Sequence, residues 1–544
     1  AKLFASAKQL GTVYLSKSVT SINSVFQQSY VKNIVIDPEN VNFKADETYP
    51  IIYNATGTAI QLTYGALYGE DGVYSIPDGT TEIGERAFEN QVYIRKMIIP
   101  ASVQSIGSYA FSNCLNLEEV VFLTDTGTES GFSNLATLGT NVFDNCQLLQ
   151  AIDLSKTGLM LLPAYTFRNC YSLAEVKLPK NLQRIGVDSD TASTTNVYTF
   201  QNCTNLQEIN FPDSLTAING SHNFTGCSSL TTVTLPKALK TLGQYAFAGC
   251  SNLTEVTFQS NVTNIGSSPF YYSTYGEVPI EKIVLYSGMT KLGANMFQNM
   301  SKLTTVTYDG YTGTGNALPA SITELGGSVF LNCVSLTNLA LPGVTKVGSS
   351  VFKGCTQLSS VTLNDDLTTL GNNMFQDCTA LTSITLPSKL TFLGTYTFRN
   401  SGLQSVVIPA GVSKLGTSAT SATLTSSVYT FADCAKLTSV TLPAGLTHIG
   451  GYTFMNCTQL STIRYTDYTG EENALPDSVV LVGKNAFSGC ASLRQLSLPG
   501  VTQLGEAAFG VSDSDLSKGT TTASGIETIS LPALENGTST SYLA

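Results

Sequence analysis

The chain has 544 residues, of which 42% are hydrophobic and only 12% are charged, so its composition predicts a packed core and excludes disorder driven by charge. Its net charge is −11, and its 28 Lys and Arg residues form no basic run, which argues against nucleic acid as a partner. No apolar stretch of about 18 residues occurs, which excludes a membrane span within these residues, and the abundance of Ser, Thr, Asn and Gly favours an extracellular protein.

A repeat organises most of the chain. Phenylalanines recur at steps of 22 to 24 residues, or of 27 to 33 where an insertion is present. Aligned on them, the unit reads Leu-Pro-x-x-Leu-x-x-Leu/Ile-Gly-x-x-x-Phe-x-x-Cys-x-x-Leu-x-x-Val/Ile-x-Leu-Pro. The repeat phenylalanines are Phe88, Phe111, Phe143, Phe167, Phe200, Phe224, Phe247, Phe270, Phe297, Phe330, Phe352, Phe375, Phe398, Phe431, Phe454, Phe487 and Phe509.

Each position of this unit predicts a local structure. Apolar residues alternate with Thr in residues 381–386 and 437–442, which predicts one short strand per coil with one buried face. Proline then ends the strand, and the glycine four residues before the phenylalanine predicts a corner with positive φ. The phenylalanine and the leucine six residues after it point inward and stack on their equivalents in the next coil, because one coil alone cannot bury them.

The cysteines follow the same register. Every cysteine lies three residues after a repeat phenylalanine and three before a leucine. One structural position therefore explains all of them, and we predict free, buried thiols rather than a disulfide framework. Their spacing is always a whole coil, which does not fit the closely spaced ligand pairs of a zinc site.

The unit resembles the BspA-type leucine-rich repeat, whose motif is commonly written LPxxLxxIGxxAFxxCxxLxxVxLP. The match covers residues 76–509, and Ser18 to Phe26 looks like an earlier, degenerate copy. Residues 34–77 resemble the variant module of such proteins, in which an Asp-Pro-Glu-Asn piece leads into a hairpin.

The resemblance implies a right-handed, β-rich leucine-rich-repeat solenoid with one short strand per coil of 22–24 residues and irregular loop insertions. We expect divergent repeats and the hairpin-like module in residues 1–75, continuous with the solenoid over residues 76–544. The resemblance also implies display at a bacterial cell surface and adhesive or binding roles. It supplies no catalytic residues that could be assigned to positions in this chain.

Insertions of two kinds interrupt the repeat. Ser/Thr-rich segments at 187–197 and 417–428 precede a repeat phenylalanine, whereas those at 123–132, 309–319 and 466–476 follow a strand. Insertions in repeat proteins map to loops on one face, which is often the binding face.

Tyrosines mark three irregular places. Tyr311 and Tyr468 occupy equivalent positions in two insertions, and the turn after Phe270 carries Tyr271, Tyr272 and Tyr275. Tyrosine offers a large amphipathic contact area with few rotamers to lose, so these five residues are the candidate ligand-binding residues. The alternative is that their rings only cover loop backbone.

Catalytic and metal-binding patterns are absent from the sequence. His222 and His448 lie nine coils apart, too far to share a site, and we interpret both as solvated loop histidines. The neighbouring acids Glu118 with Glu119, Asp365 with Asp366 and Glu471 with Glu472 should point apart, so they form no acid/base couple. Asp188 with Asp190 and Asp513 with Asp515 lack the further oxygen ligands that Ca²⁺ requires. We therefore predict no enzyme, no metal and no cofactor.

These observations favour a surface-displayed or secreted adhesion protein. Its partner would be a host or community protein or glycan, bound through the solenoid face and the insertions. The alternative is a polysaccharide-binding surface protein, favoured if the tyrosine loops converge on a groove.

Overall fold

The protein folds into two units, Ala1–Pro279 (unit 1) and Ile280–Ala544 (unit 2). The computed structural model describes residues 10–22, 26, 31–65, 70–125, 131–189, 194–271, 273–416, 427–470, 472–510 and 524–530. Each unit is a β-solenoid with coils of about 23 residues, and helix is nearly absent from this part of the chain. Two short 3₁₀ turns, Glu70–Gly72 and Ser273–Tyr275, lie in unit 1.

Unit 1 begins with a segment of different topology. Leu10–Leu15 pairs in parallel with Val31–Ile36. Phe43–Ala45, Ile51–Asn54 and Ala59–Thr63 then form an antiparallel meander. Ala59–Thr63 also pairs in parallel with Glu82–Ile83, so the meander continues directly into the coils that follow.

Each coil of unit 1 contributes up to two parallel strands. A long strand follows the Cys-x-x-Leu step, and its burial alternates as predicted: in Thr232–Leu235, Val233 and Leu235 are buried between exposed threonines. A short strand precedes the glycine. The long strands are Val73–Ser75, Lys96–Ile99, Glu119–Phe122, Ala151–Asp153, Glu175–Lys177, Thr232–Leu235 and Glu255–Phe258. The short strands are Glu82–Ile83, Ser105–Ile106, Thr137–Leu138, Leu161–Pro163, Arg184–Gly186, Ala217–Ile218, Thr241–Leu242 and Asn264–Ile265.

Unit 2 has the same anatomy. Residues 381–386 form no strand despite the alternation that predicted one. The long strands are Lys282–Leu285, Thr305–Tyr308, Asn338–Ala340, Ser360–Thr362, Ser405–Val407, Ser439–Leu442, Thr462–Tyr465, Gln495–Ser497 and Thr528–Ser530. The short strands are Lys291–Leu292, Glu324–Leu325, Lys346–Val347, Thr369–Leu370, Phe392–Leu393, Lys414–Leu415, His448–Ile449, Leu481–Val482 and Gln503–Leu504. The β-rich leucine-rich-repeat solenoid is thus confirmed, and the short strand is an addition to the prediction.

The repeat phenylalanines form the centre of each core. In unit 1, Phe200, Phe224 and Phe247 are buried, with ring centroids 4.9 and 5.0 Å apart and nearly parallel planes. In unit 2, Phe431 and Phe454 stack in the same way at 5.5 Å. Each ring thus fills the gap between its two neighbours, so the apolar surface of one coil is buried only by the next.

The prediction of positive φ at the repeat glycine was wrong. Of the glycines four residues before a repeat phenylalanine, only Gly220 has a left-handed φ, of 78°, among those the structure describes; Gly84, Gly107, Gly139, Gly243, Gly293, Gly348, Gly371, Gly450, Gly483 and Gly505 do not. Glycine is needed there for a different reason, which is close approach between coils. A Cβ on Gly107 would lie 2.5 Å from the backbone N of Glu85 and 2.7 Å from the carbonyl carbon of Gly84. The missing side chain lets adjacent backbones touch at this corner.

Positive φ occurs instead on both sides of the phenylalanine. We call the residue two before it the first αL corner and the residue two after it the second αL corner. The first αL corner is occupied by Arg86, Tyr109, Asn141, Tyr165, Tyr198, His222, Tyr245, Ser268, Asn295, Ser328, Ser350, Asn373, Tyr396, Tyr429, Tyr452, Asn485 and Ala507. The second is occupied by Asn90, Asn113, Asn145, Asn169, Asn202, Gly226, Gly249, Asn299, Asn332, Gly354, Asp377, Asn400, Asp433, Asn456 and Gly489.

Both αL corners donate hydrogen bonds to the next coil. The backbone N–H groups of Tyr109, Phe111 and Asn113 donate to carbonyl oxygens 2.8 to 2.9 Å away in the coil that follows. Alternate N–H groups therefore face the same neighbour, which satisfies buried donors without a β-ladder. Asn and Gly suit these corners because they adopt positive φ at low cost, whereas a bulky ring there is unusual.

The cysteine position is buried as predicted. All 12 thiols are free and buried. In Cys227, for example, Sγ donates to the carbonyl oxygen of Phe200, 3.1 Å away in the preceding coil. Burial raises the pKa of Cys114 and of Cys355 to about 12, because the thiolate would lose its hydration.

These thiols should be inert in the folded protein. We expect an aromatic disulfide reagent at neutral pH to label none of them in native protein and all 12 after unfolding in urea. The measurement is thiol release followed by absorbance. Fast labelling of even one thiol without denaturant would show that a cysteine lies outside the core.

Candidate binding surface

Two equivalent insertions in unit 2 hold their tyrosines against the end of a long strand. Tyr311 packs on Tyr308, with ring centroids 4.9 Å apart, and its hydroxyl donates to the carbonyl oxygen of Thr314 at 3.2 Å. Tyr468 packs on Tyr465 at 4.7 Å. All four rings are half-buried. Each insertion therefore presents a pair of packed tyrosines rather than one mobile ring.

The same asparagine anchors each insertion to its strand. The backbone N–H of Val306 donates to Asn316 Oδ1 at 2.8 Å, and that of Ile463 donates to Asn473 Oδ1 at 2.9 Å. Each asparagine amide also donates to the backbone carbonyl of the residue just before the strand, Thr304 or Ser461. The two insertions are thus fixed to their strands by identical contacts, which hold both loops in the same geometry.

The tyrosine rings also cover loop backbone. A Cβ on Gly313 would lie 2.6 Å from the Tyr311 hydroxyl oxygen, and one on Gly470 would collide with the Tyr468 ring. Tyr311 and Tyr468 lie six coils apart in unit 2, which is roughly 29 Å at ~4.8 Å per coil. The fold therefore does not bring them into one pocket, and each insertion would contact a ligand separately.

The third tyrosine cluster lies in unit 1. Tyr271 is half-buried beside the buried Phe270, and its backbone N–H donates to the carbonyl oxygen of Ser268 at 3.2 Å. Tyr275 ends the short 3₁₀ turn. Tyr272 lies outside the described residues.

A row of half-buried rings at the first αL corner was not predicted as a site. In unit 1, the ring centroids of Tyr198 and His222 lie 5.1 Å apart, and those of His222 and Tyr245 lie 5.0 Å apart. In unit 2, Tyr429 stacks between Tyr396 and Tyr452 at 4.8 and 4.4 Å. The recurrence of Tyr or His two residues before the phenylalanine was the available signal.

At one end of this row, unit 1 contains an open polar cleft of about 390 Å³. Arg86 stacks on the Tyr109 ring, with its guanidinium carbon 3.9 Å from the ring centroid, and Arg168 lies 4.9 Å from the centroid of Tyr165. The other lining residues are Glu89, Ser112, Asn113, Asp144, Asn145 and Asn169.

Every charged group of the cleft has an opposite partner. Arg168 donates through Nε and Nη2 to the two carboxylate oxygens of Asp144 at 2.9 and 2.6 Å. Arg86 Nη1 donates to Glu89 Oε1 at 2.6 Å. The hydrogen bonds that Arg168 donates to the Asp144 carboxylate raise the pKa of Arg168. The cleft is thus rich in donors and acceptors but carries no net charge.

The interpretation of both histidines as solvated loop residues was wrong. His222 is half-buried between two tyrosine rings, and its Nδ1 lies 3.0 Å from the Ser221 hydroxyl. His448 is half-buried in a short strand, with Nδ1 2.8 Å from the Thr447 hydroxyl. Burial lowers the pKa of both, and the charge of Lys414 lowers that of His448 further.

His222 should make stability depend on pH. Its pKa is lower in the folded state than the unfolded value of 6.5, because burial disfavours the charged imidazole. The contribution of the neutral ring to the free energy of unfolding is therefore fully present above pH 6.5 and is lost as the pH falls below that value. We expect the urea midpoint to fall more between pH 7.5 and 5.5 in the wild type than in a His222→Asn variant, since asparagine occupies the same corner elsewhere. Equal falls in both proteins would contradict this assignment.

The neighbouring acids point to separate partners, as predicted. Glu118 accepts two hydrogen bonds from Arg95, which lower its pKa, while Glu119 pairs with Lys96. Asp365 likewise bonds to Ser388 and Asp366 to Lys389. Glu471 lies outside the described residues. None of the described pairs shares a site.

Within the described ranges, no three His, Cys, Asp or Glu residues are grouped so as to hold a metal ion. Of the calcium candidates, Asp190, Asp513 and Asp515 lie outside those ranges. No helix in the described part of the chain is long and apolar enough to span a membrane.

Comparison with known proteins agrees with this architecture. The BspA type leucine rich repeat region matches in six copies, over residues 81–194, 193–314, 307–427, 425–471 and 469–543. No curated protein matches the chain.

Several solved structures are similar. A leucine-rich repeat protein from Bacteroides ovatus is 22% identical over 84% of this chain and 92% of its own, with a TM-score of 0.50. A leucine rich cell surface protein from Faecalibacterium prausnitzii is 20% identical over 78% and 95%, with a TM-score of 0.30. The pneumococcal vaccine antigen PcpA is 15% identical over 91% and 99%, with a TM-score of 0.32.

The Bacteroides structure supports the fold, and the six matched copies span most of the solenoid. Proteins with this repeat are typically non-enzymatic surface or secreted proteins. The phenylalanine stack and the cysteine position agree with this family match, and the chain belongs to the BspA-type leucine-rich repeat family.

Proposed function

We propose that this chain is a non-enzymatic, surface-displayed or secreted bacterial adhesion protein. It binds a host or community protein through the solenoid face and the tyrosine-bearing insertions. The observation that carries this proposal is the pair of equivalent insertions at Tyr311 and Tyr468, each fixed to its strand by the same asparagine contacts.

The physical basis is preorganisation. An adhesive surface gains affinity when its contact residues lose little entropy on binding, and packed tyrosines on anchored loops meet that condition. Two such loops about six coils apart can engage an extended partner at two points, which favours a protein over a small molecule. Tyr271, Tyr272 and Tyr275 form a further candidate contact in unit 1.

Removing both insertion tyrosines should weaken binding. We expect a Tyr311→Ala/Tyr468→Ala double variant to bind its extracellular-matrix partner at least about tenfold more weakly, because buried tyrosines are frequent interface hot spots. The measurement is an array of matrix proteins and glycans, followed by titration of each bound protein.

The control is Tyr14→Ala, which removes a tyrosine that is 75% exposed and lies in the first strand. It should leave binding unchanged. Equal binding by the double variant and the wild type would overturn the placement in the insertions. Binding to glycans alone would replace this proposal by the polysaccharide-binding alternative.

A further inference from the structure

We infer that the polar cleft of unit 1, between Arg86 and Arg168, is a binding site for a neutral oligosaccharide. The cleft lies at the αL corners of four consecutive coils and includes none of the insertion tyrosines. The cleft is therefore separate from the insertion tyrosines of the proposed function. An experiment can contradict the cleft site without contradicting the proposed function, and the reverse.

The charge pairing decides against an ionic ligand. The Asp144 side chain is only 6% exposed and is held by Arg168 and by Asn141, whose Nδ2 donates to it at 3.0 Å. The Glu89 side chain is 7% exposed and paired with Arg86. An anion that displaced either arginine from its carboxylate would leave a buried negative charge without its counterion, which is strongly unfavourable. A cation that bound either carboxylate would likewise leave the paired arginine without its counterion.

The polar groups that remain match a ligand made of hydroxyls. A guanidinium has five N–H donors, and Arg168 uses two of them on Asp144. The amides of Asn113 and Asn145 lie beside it, linked by a hydrogen bond of 2.8 Å that fixes their orientation. A sugar hydroxyl both donates and accepts, so it can bond to such groups without a net charge.

The ring supplies the apolar part of the site. Tyr109 lines the cleft, and the guanidinium of Arg86 stacks against it and holds it in place. Sugars combine hydroxyl groups with apolar C–H patches, and ligand sites characteristically combine aromatic walls with a few fixed polar groups. The cleft offers an aromatic ring and fixed polar groups within one rigid wall.

The backbone adds an independent observation. Tyr109 has a φ of 60°, a conformation that disfavours bulky side chains, whereas Asn141 occupies the equivalent corner with a φ of 58°. The corner itself therefore does not require a ring. Rings recur at this corner in Tyr165, Tyr198 and Tyr245, so it is the place of Tyr109 in the lining of the cleft that assigns its ring to ligand contact.

The test compares rings inside and outside the cleft. Wild-type protein is titrated with neutral hexose and N-acetylhexosamine oligosaccharides of increasing length, and with sulfated and carboxylated oligosaccharides. Tyr109→Asn removes the cleft ring with a residue already used at this corner, and Tyr109→Phe keeps it. Tyr245→Asn makes the same change at a corner of unit 1 outside the cleft. Urea unfolding of each variant reports whether it is folded.

We expect a neutral oligosaccharide to bind with an affinity that salt does not change, because no ionic contact contributes. Tyr109→Asn should weaken this binding at least tenfold, while Tyr109→Phe and Tyr245→Asn should retain it. Three results would overturn the inference: no oligosaccharide binds, only the anionic ones bind, or the folded Tyr109→Asn variant binds the neutral ones as the wild type does.

Discussion

Replacing Phe224 by alanine is expected to lower the free energy of unfolding by about 3–5 kcal/mol. The ring is fully buried, stacks on Phe200 at 4.9 Å and on Phe247 at 5.0 Å, and meets the edge of Phe211 at 5.7 Å. The coils are fixed by backbone hydrogen bonds on both sides, so they cannot collapse into the space left by the ring. Urea unfolding followed by circular dichroism measures the loss.

The matched control is Phe132→Ala in the same unit. This side chain is 64% exposed, and its two contacts with Asp125 are made by its backbone. We expect a change within about 0.5 kcal/mol, as is usual for surface substitutions. Equal losses for the two variants would mean that the phenylalanine stack does not hold the coils together.

Replacing Gly483 by alanine should destabilise unit 2 by about 3 kcal/mol or more, because overpacking against backbone has no flexible group to yield. A Cβ there would lie 2.8 Å from the carbonyl carbon of Gly450 and 2.9 Å from the Cα of Gly451. The N–H of Gly483 also donates to the carbonyl oxygen of Ile449 at 2.8 Å, so the coil cannot shift without breaking an inter-coil hydrogen bond.

Gly445 provides the contrast in the same unit. It has nothing within 4 Å of a Cβ and no positive φ. Alanine there should be neutral, or stabilising by up to about 1 kcal/mol through a less flexible unfolded chain. Differential scanning calorimetry of the Gly483→Ala and Gly445→Ala variants measures the change in stability that each substitution causes. A harmless Gly483→Ala would show that the coils are farther apart at this corner than the structure places them.

The core could be predicted from the sequence because its signal is periodic. Phenylalanine and cysteine return at fixed offsets, and only one inward position per coil is compatible with that register. The φ of the repeat glycine could not be predicted in this way. Glycine is equally required by positive φ and by close backbone approach, and the choice between them depends on the distance to the preceding coil.

The candidate site was less predictable. The tyrosines of the insertions were visible as irregular aromatic residues, but their packing on Tyr308 and Tyr465 depends on how each loop returns to its strand. The row that includes His222 also recurs in the sequence. The stacking of its rings can be inferred only when the left-handed backbone conformation of that corner is known. This conformation aligns the side chains of successive coils, which the sequence alone presents as variable loop residues.

The most direct test of a binding role is one array of matrix proteins and glycans probed with three proteins: the wild type, Tyr311→Ala/Tyr468→Ala and Tyr109→Asn. The account predicts that the insertion variant loses a protein signal and keeps the neutral-glycan signal, and that the cleft variant does the reverse. If the wild type binds nothing on the array, or if both variants retain every wild-type signal, the assignment of binding to these two surfaces is contradicted.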